Sequence, residues 1–108
     1  MYKQNFALNS LANLIFKISN YCKKNNTECY FFLVPSYYDL KFFQKNKKIY
    51  YNELNKILHK KKSIKFFDLT KELGKHNSKK IYADKAYGGH LNIIGQKNLS
   101  EIILKLIN

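Results

Sequence analysis

The sequence has no arginine: all 20 of its basic residues are lysine, set against seven acidic residues for a formal charge of +13. Readers of nucleic-acid bases and bidentate phosphate clamps rely on the planar Arg fork, which Lys cannot copy. A specific nucleic-acid reader is therefore not expected, although charge alone gives weak attraction to polyanions. The Lys excess reads as composition bias spread over solvated faces. Cysteine is scarce too. Cys22 and Cys29 are too few for a disulfide scaffold and lack the CxxC spacing of a zinc site. Cys22 falls on a helix face and Cys29 opens an apolar run, so both are expected as buried, reduced thiols. The first twenty residues hold no continuous apolar run longer than three, so neither a signal peptide nor a membrane span is expected. A cytoplasmic location is the default on that absence. There is no internal repeat and no Pro/Gly/Ser-rich linker, and residues 1–108 make one domain at most.

What is present suffices for a core: 45% of residues are hydrophobic and 16% aromatic. From Asn5 to Lys24 the apolar residues Leu8, Leu11, Ala12, Ile15, Ile18 and Cys22 recur by threes and fours, which predicts an amphipathic helix. Cys29 to Val34 is an unalternating, aromatic apolar run ended by Pro35-Ser36, which predicts a strand buried on both faces. A loop rich in Tyr, Phe and Lys follows, then a helix from Lys48 to Lys60 with Tyr50, Leu54, Ile57 and Leu58 on one face. Ile64 to Leu69 reads as a second strand, Thr70 to Gly74 as a brief helix or turn, and His76 to Lys80 as a polar loop. Asn92 is the expected N-cap of a closing helix with Leu99, Ile102, Ile103 and Leu106 on its apolar face.

Strands joined by helices predict a parallel sheet in an α/β three-layer fold with helices on both faces. Loops leaving the carboxyl ends of such strands form the rim where these folds bind ligands. That rim collects Pro35 to Asp39 and the segment from Thr70 to His90. Two strands are few for a doubly wound sheet and leave both edges unpaired, so the chain reads as part of a larger fold.

The segment Ile81-Tyr82-Ala83-Asp84-Lys85-Ala86-Tyr87-Gly88-Gly89-His90-Leu91-Asn92-Ile93-Ile94-Gly95 concentrates the chemistry. A carboxylate precedes a histidine in a Gly-containing loop, just before a helix. In a Ser-His-Asp arrangement the carboxylate orients the imidazole, which deprotonates a hydroxyl nucleophile. The bland alternative is an ordinary loop Asp with a surface His. His59, near the end of the Lys-rich helix, and His76, in a polar loop, lack the local Cys, Asp or Glu company of a metal site; no metal or cofactor is expected. Asp68 is expected to cap the turn after it. Tyr37-Tyr38 and Phe42-Phe43 either line a groove at the rim or cover the sheet edge.

The string Tyr82-x-Asp84, then Gly89-His90-Leu91-Asn92-x-x-Gly95-x-x-x-Leu99-x-x-x-Ile103, resembles the last block of SGNH/GDSL-type hydrolases, where an Asp and a His precede the final helix. The strand ending at Pro35-Ser36, the helix with Tyr51 and Leu54, and the strand ending Phe67-Asp68-Leu69-Thr70 resemble that family's last strand–helix units. The likeness covers the chain from about Ala7 onward. It implies a partial flavodoxin-like fold, with His90 as general base and Asp84 as its partner. The family has two residues between this Asp and His, whereas here five intervene. It also carries its nucleophile in a Gly-Asp-Ser block and its oxyanion hole on a later Gly and Asn. Neither exists here, since no Gly precedes Gly74. Ser36 follows a strand on the correct rim but lacks the glycines of a nucleophile elbow, and is expected as a turn former.

The resemblance thus implies the Asp/His end of an ester hydrolase or acyl-transfer domain, inactive alone, whose substrate would be an acyl ester on carbohydrate or lipid. A partner chain would supply the N-terminal half, and DNA upstream of Met1 is expected to encode a Gly-Asp-Ser segment if the gene is split. Two rivals stand beside it. One is a small non-catalytic, Lys-rich α/β module that binds an anionic or protein partner. The other is a catalytically empty subunit that pairs its open strand edge with another chain.

Overall fold

The computed structural model describes residues 2–49, 51–61, 63–83 and 89–108. Among these the fold is mixed α/β, with six helices and a small parallel sheet of two strands. The chain runs α1 (Tyr2–Lys24), β1 (Tyr30–Leu33), α2 (Tyr37–Asn46), α3 (Asn52–His59), β2 (Lys65–Asp68), α4 (Thr70–Leu73), α5 (Ser78–Ile81) and α6 (Ile93–Ile107). It gathers into two compact units. One comprises Met1–Phe32 with Tyr51–Asp68, the other Leu33–Tyr50 with Leu69–Asn108.

In the first unit α1 packs along α3, and α3 lies against β2. Of the periodic positions expected to share one buried face of α1, Ala12, Ile15 and Cys22 are buried, with Ser19 beside them, whereas Leu11 and Ile18 are exposed; Leu54, Asn55 and Leu58 of α3 and Phe66 of β2 are buried as well. The residues of β1 are only half-buried, because a two-stranded sheet has no third strand to enclose them. Phe32 stacks on Phe67 across the pair, with ring centroids 5.5 Å apart.

The cysteines correct the expectation of free thiols: Cys22 and Cys29 form a disulfide. The turn after α1 brings them together. The Thr27 amide donates back to the Cys22 carbonyl at 2.9 Å, and Asn26 takes a left-handed conformation, φ 52°, which Asn tolerates better than most residues. The chain reverses within four residues and returns Cys29 alongside the end of the helix.

In the second unit two stretches expected as loops are helical. α2 occupies the Tyr/Phe/Lys-rich stretch. Ser36 caps it by accepting a hydrogen bond from the Asp39 amide at 3.2 Å, Asp39 sits in its first turn, and Lys47 ends it in a left-handed conformation. Tyr37 and Leu40 form its buried face. α5 lies in the expected polar loop as a single turn, capped by Asn77 and holding Ser78 and Ile81 in the core. Asn92 caps α6 as expected, its Oδ1 accepting from the Gly95 amide at 2.9 Å. Leu99, Ile102 and Ile103 are half-buried and Leu106 is exposed, so the apolar face of α6 is only partly covered.

Candidate functional site

The second unit contains an open cleft of about 430 Å³, lined by Val34, Pro35, Ser36, Tyr82, Gly89, His90, Leu91 and Gln96. One wall is the segment that follows β1. The other is the approach to α6. Tyr82 ties the two together: its buried hydroxyl donates to the Pro35 carbonyl at 2.6 Å, a contact across 47 residues. Its ring meets the Tyr37 ring edge-on, with centroids 5.6 Å apart.

The backbone around His90 is fixed by an antiparallel bridge between Tyr82 and Leu91. The Ala83 amide donates to the His90 carbonyl at 2.6 Å, and the Asn92 amide to the Ile81 carbonyl at 2.9 Å. The Asn92 side chain joins two helices at once: its Nδ2 donates to the Lys80 carbonyl of α5 at 2.7 Å while its Oδ1 caps α6. Gln96 adds a bond to the Leu91 carbonyl at 3.2 Å. His90 itself is exposed at the cleft, on a backbone held from both sides.

Of the two residues named by the sequence, His90 therefore lines a cleft, while Asp84 lies outside the described residues. Ala83, which precedes Asp84, is the residue bonded to the His90 carbonyl. The cleft also takes in Ser36, which is the N-cap of α2 rather than part of a simple turn. Its Oγ accepts the Asp39 amide, and its own hydroxyl proton remains a donor. Replacing Ser36 with Ala is expected to reduce stability by about 1 kcal/mol through loss of the cap, measured as a lower midpoint in urea. An unchanged midpoint would show that α2 does not depend on this bond.

Tyr82 is the positioning residue that sequence reading left as one letter of a motif. Its partner is remote in sequence, so no local pattern reveals the contact. Burial, with the Asp39 carboxylate nearby adding to it, pushes the Tyr82 phenol up to about 12 from its ordinary 10.0. A phenol whose folded value is raised is stabilising while neutral, so its contribution is present below about pH 10 and is lost as pH rises from 10 toward 12. In an alkaline absorbance titration a late tyrosine phase near pH 12 is expected, and Tyr82→Phe should delete it. Its survival in Tyr82→Phe would assign the late phase to another tyrosine.

The remaining candidates fall elsewhere. His59 is exposed at the end of α3, with its ring 3.4 Å from the Phe66 carbonyl oxygen. Asp68 ends β2 beside Leu69, the N-cap of α4, and accepts a hydrogen bond from Asn55 Nδ2 at 2.9 Å, because the preceding helix presents a donor that would otherwise be buried without a partner. The His76 carbonyl accepts from Gln44 at 2.8 Å. Among the described residues no group of three His, Cys, Asp or Glu side chains is placed to hold a metal ion, and no helix is long and apolar enough to cross a membrane. Searches against protein-family models, curated proteins and solved structures find no match for this chain.

Proposed function

We propose that this chain is the histidine-bearing C-terminal part of an SGNH/GDSL-type hydrolase with a flavodoxin-like fold, acting at an acyl ester on carbohydrate or lipid. The observation that carries the reading is the cleft, which His90 enters from the approach to α6 while the residues after β1 form the opposite wall. Ligand sites in parallel α/β sheets lie beyond the carboxyl ends of strands. In this reading His90 takes the proton of a serine hydroxyl as that oxygen attacks the ester carbonyl, then returns it to the departing alcohol. Water repeats the sequence and frees the acid. Asp84 orients the imidazole. The nucleophile and the oxyanion donors come from a partner polypeptide, because each missing oxyanion donor removes about 3 kcal/mol of transition-state stabilisation.

The purified chain should therefore bind a product acid without turning over an ester. Titration with butyrate is expected to shift the amide resonances of Gly89, His90 and Leu91, and His90→Ala should abolish the shifts. No perturbation of these amides at saturating carboxylate would sink the ester-site reading. Turnover of a nitrophenyl ester that disappears in Ser36→Ala would overturn the assignment of the nucleophile to a partner.

A further inference from the structure

α1 has two apolar faces, and the protein covers one of them. Ala12, Ile15, Ser19 and Cys22 make the covered face. Leu11, Leu14, Ile18 and Tyr21 make the other, and they are 40%, 54%, 41% and 70% exposed. Their spacing of three, four and three residues is the rhythm of a heptad repeat, with Leu11 and Ile18 at its a positions and Leu14 and Tyr21 at its d positions. At 100° per residue the stripe is about 80° wide and sits roughly 100° round the helix from the covered face.

The border of the stripe is charged on one side only. Lys17 and Lys24 are both exposed and stand seven residues apart at successive g positions. On the opposite border the e positions are Ile15 and Cys22, which belong to the covered face. α1 contains no acidic residue at all.

We propose that this stripe docks an amphipathic helix of a partner protein, one with an apolar a/d seam and acidic residues facing Lys17 and Lys24. The heptad spacing selects a helix as the occupant, since knobs at three- and four-residue intervals interdigitate with the holes of another helix. A second copy of this chain fits poorly. Antiparallel pairing sets g against g, lysine against lysine, and parallel pairing sets the lysines against Ile15 and Cys22, which are already covered. A lipid surface is also a poorer match, because helices that lie in a membrane interface combine a larger apolar face with a strongly charged polar one. The net charge of +13 speeds encounter with an acidic partner.

The test uses the full-length chain and a synthetic peptide of three heptads with Leu at a and d and Glu at e and g. Calorimetric titration is expected to give micromolar binding that weakens as salt is raised. Leu14→Gln and Ile18→Gln should each weaken it roughly tenfold, and Lys17→Glu should weaken it while improving binding of the same peptide with Lys in place of Glu. These positions are exposed, and unchanged circular dichroism would show that the variants fold. A control peptide that keeps the glutamates but carries Ser at a and d should bind far less. Equal binding of that control overturns the proposal, because charge alone then suffices. So does failure of the Leu/Glu peptide to bind. Stripe-dependent binding to phosphatidylglycerol vesicles in place of the peptide, or stripe-dependent dimerisation of the chain in sedimentation equilibrium, overturns it in favour of a membrane or a second copy.

Discussion

Substituting Gly95 by Val is expected to lower the unfolding free energy by about 3 kcal/mol and the melting temperature by roughly 10 °C. Two effects oppose each other here. Glycine inside a helix is about 1 kcal/mol less favourable than alanine, so any side chain at an open site on α6 would stabilise the protein. Gly95 is not an open site. It is the buried residue of α6, and a Cβ built on it would overlap the Ile81 carbonyl oxygen and come within 2.8 Å of Leu91 Cδ2. A flexible side chain can swing away, but the Ile81 carbonyl cannot, because it already accepts the Asn92 amide. The clash therefore outweighs the propensity gain, and α6 must move away from α5. Leu91 lines the cleft, so the shift should also move the His90 amide resonance. Thermal unfolding followed by circular dichroism checks the stability, and an unchanged or raised melting temperature would mean that α6 slides without resistance.

Loss of the Cys22–Cys29 disulfide is expected to reduce stability by about 2.5 kcal/mol, the chain-entropy value for so short a closed loop. The bridge spans seven positions, and the same turn is held by the Thr27 and Asn25 amides at the end of α1. The cross-link thus confines an unfolded chain to a reversal that the folded one makes anyway. Melting with and without a reducing agent should differ by roughly 10 °C. The Cys22→Ala/Cys29→Ala double variant should match the reduced protein and ignore the reductant. Equal melting temperatures in both conditions would place the stability of this turn in its hydrogen bonds alone.

The elements that sequence reading located are those whose signals are local and repeated. α1 shows its three-and-four spacing over about four turns, and the α6 start is marked by an Asn three residues before a Gly. α2 escaped because Tyr38 and Phe42, exposed on its outer side, fill the gaps in the apolar pattern with more aromatic residues. α5 is one turn long, too short for any period. The disulfide depends on the left-handed turn at Asn26, which two cysteines seven apart do not announce. At the cleft, His90 was legible because Gly, His, Leu and Asn stand together before a helix. Its association with Ser36 through Tyr82 and Pro35 was not, because a bond across 47 residues leaves no mark on either local sequence. The second apolar stripe of α1 was present in the periodicity from the start, but only burial separates Leu11 and Ile18 from Ala12 and Ile15.

The two units are threaded through one another along the chain, with crossings after Phe32, Tyr50 and Asp68. During synthesis the first unit has all its parts only once Asp68 has emerged, by which time about a third of the second unit, residues 33–50, hangs from it unpaired. A stop placed after Asp68 would leave the first unit complete but burdened with the stranded residues 33–50, while no start site along the chain yields the second unit free of the first. Dissection of this protein thus calls for joining ends that are not neighbours in the gene, such as Phe32 to Tyr51, rather than for trimming at either terminus.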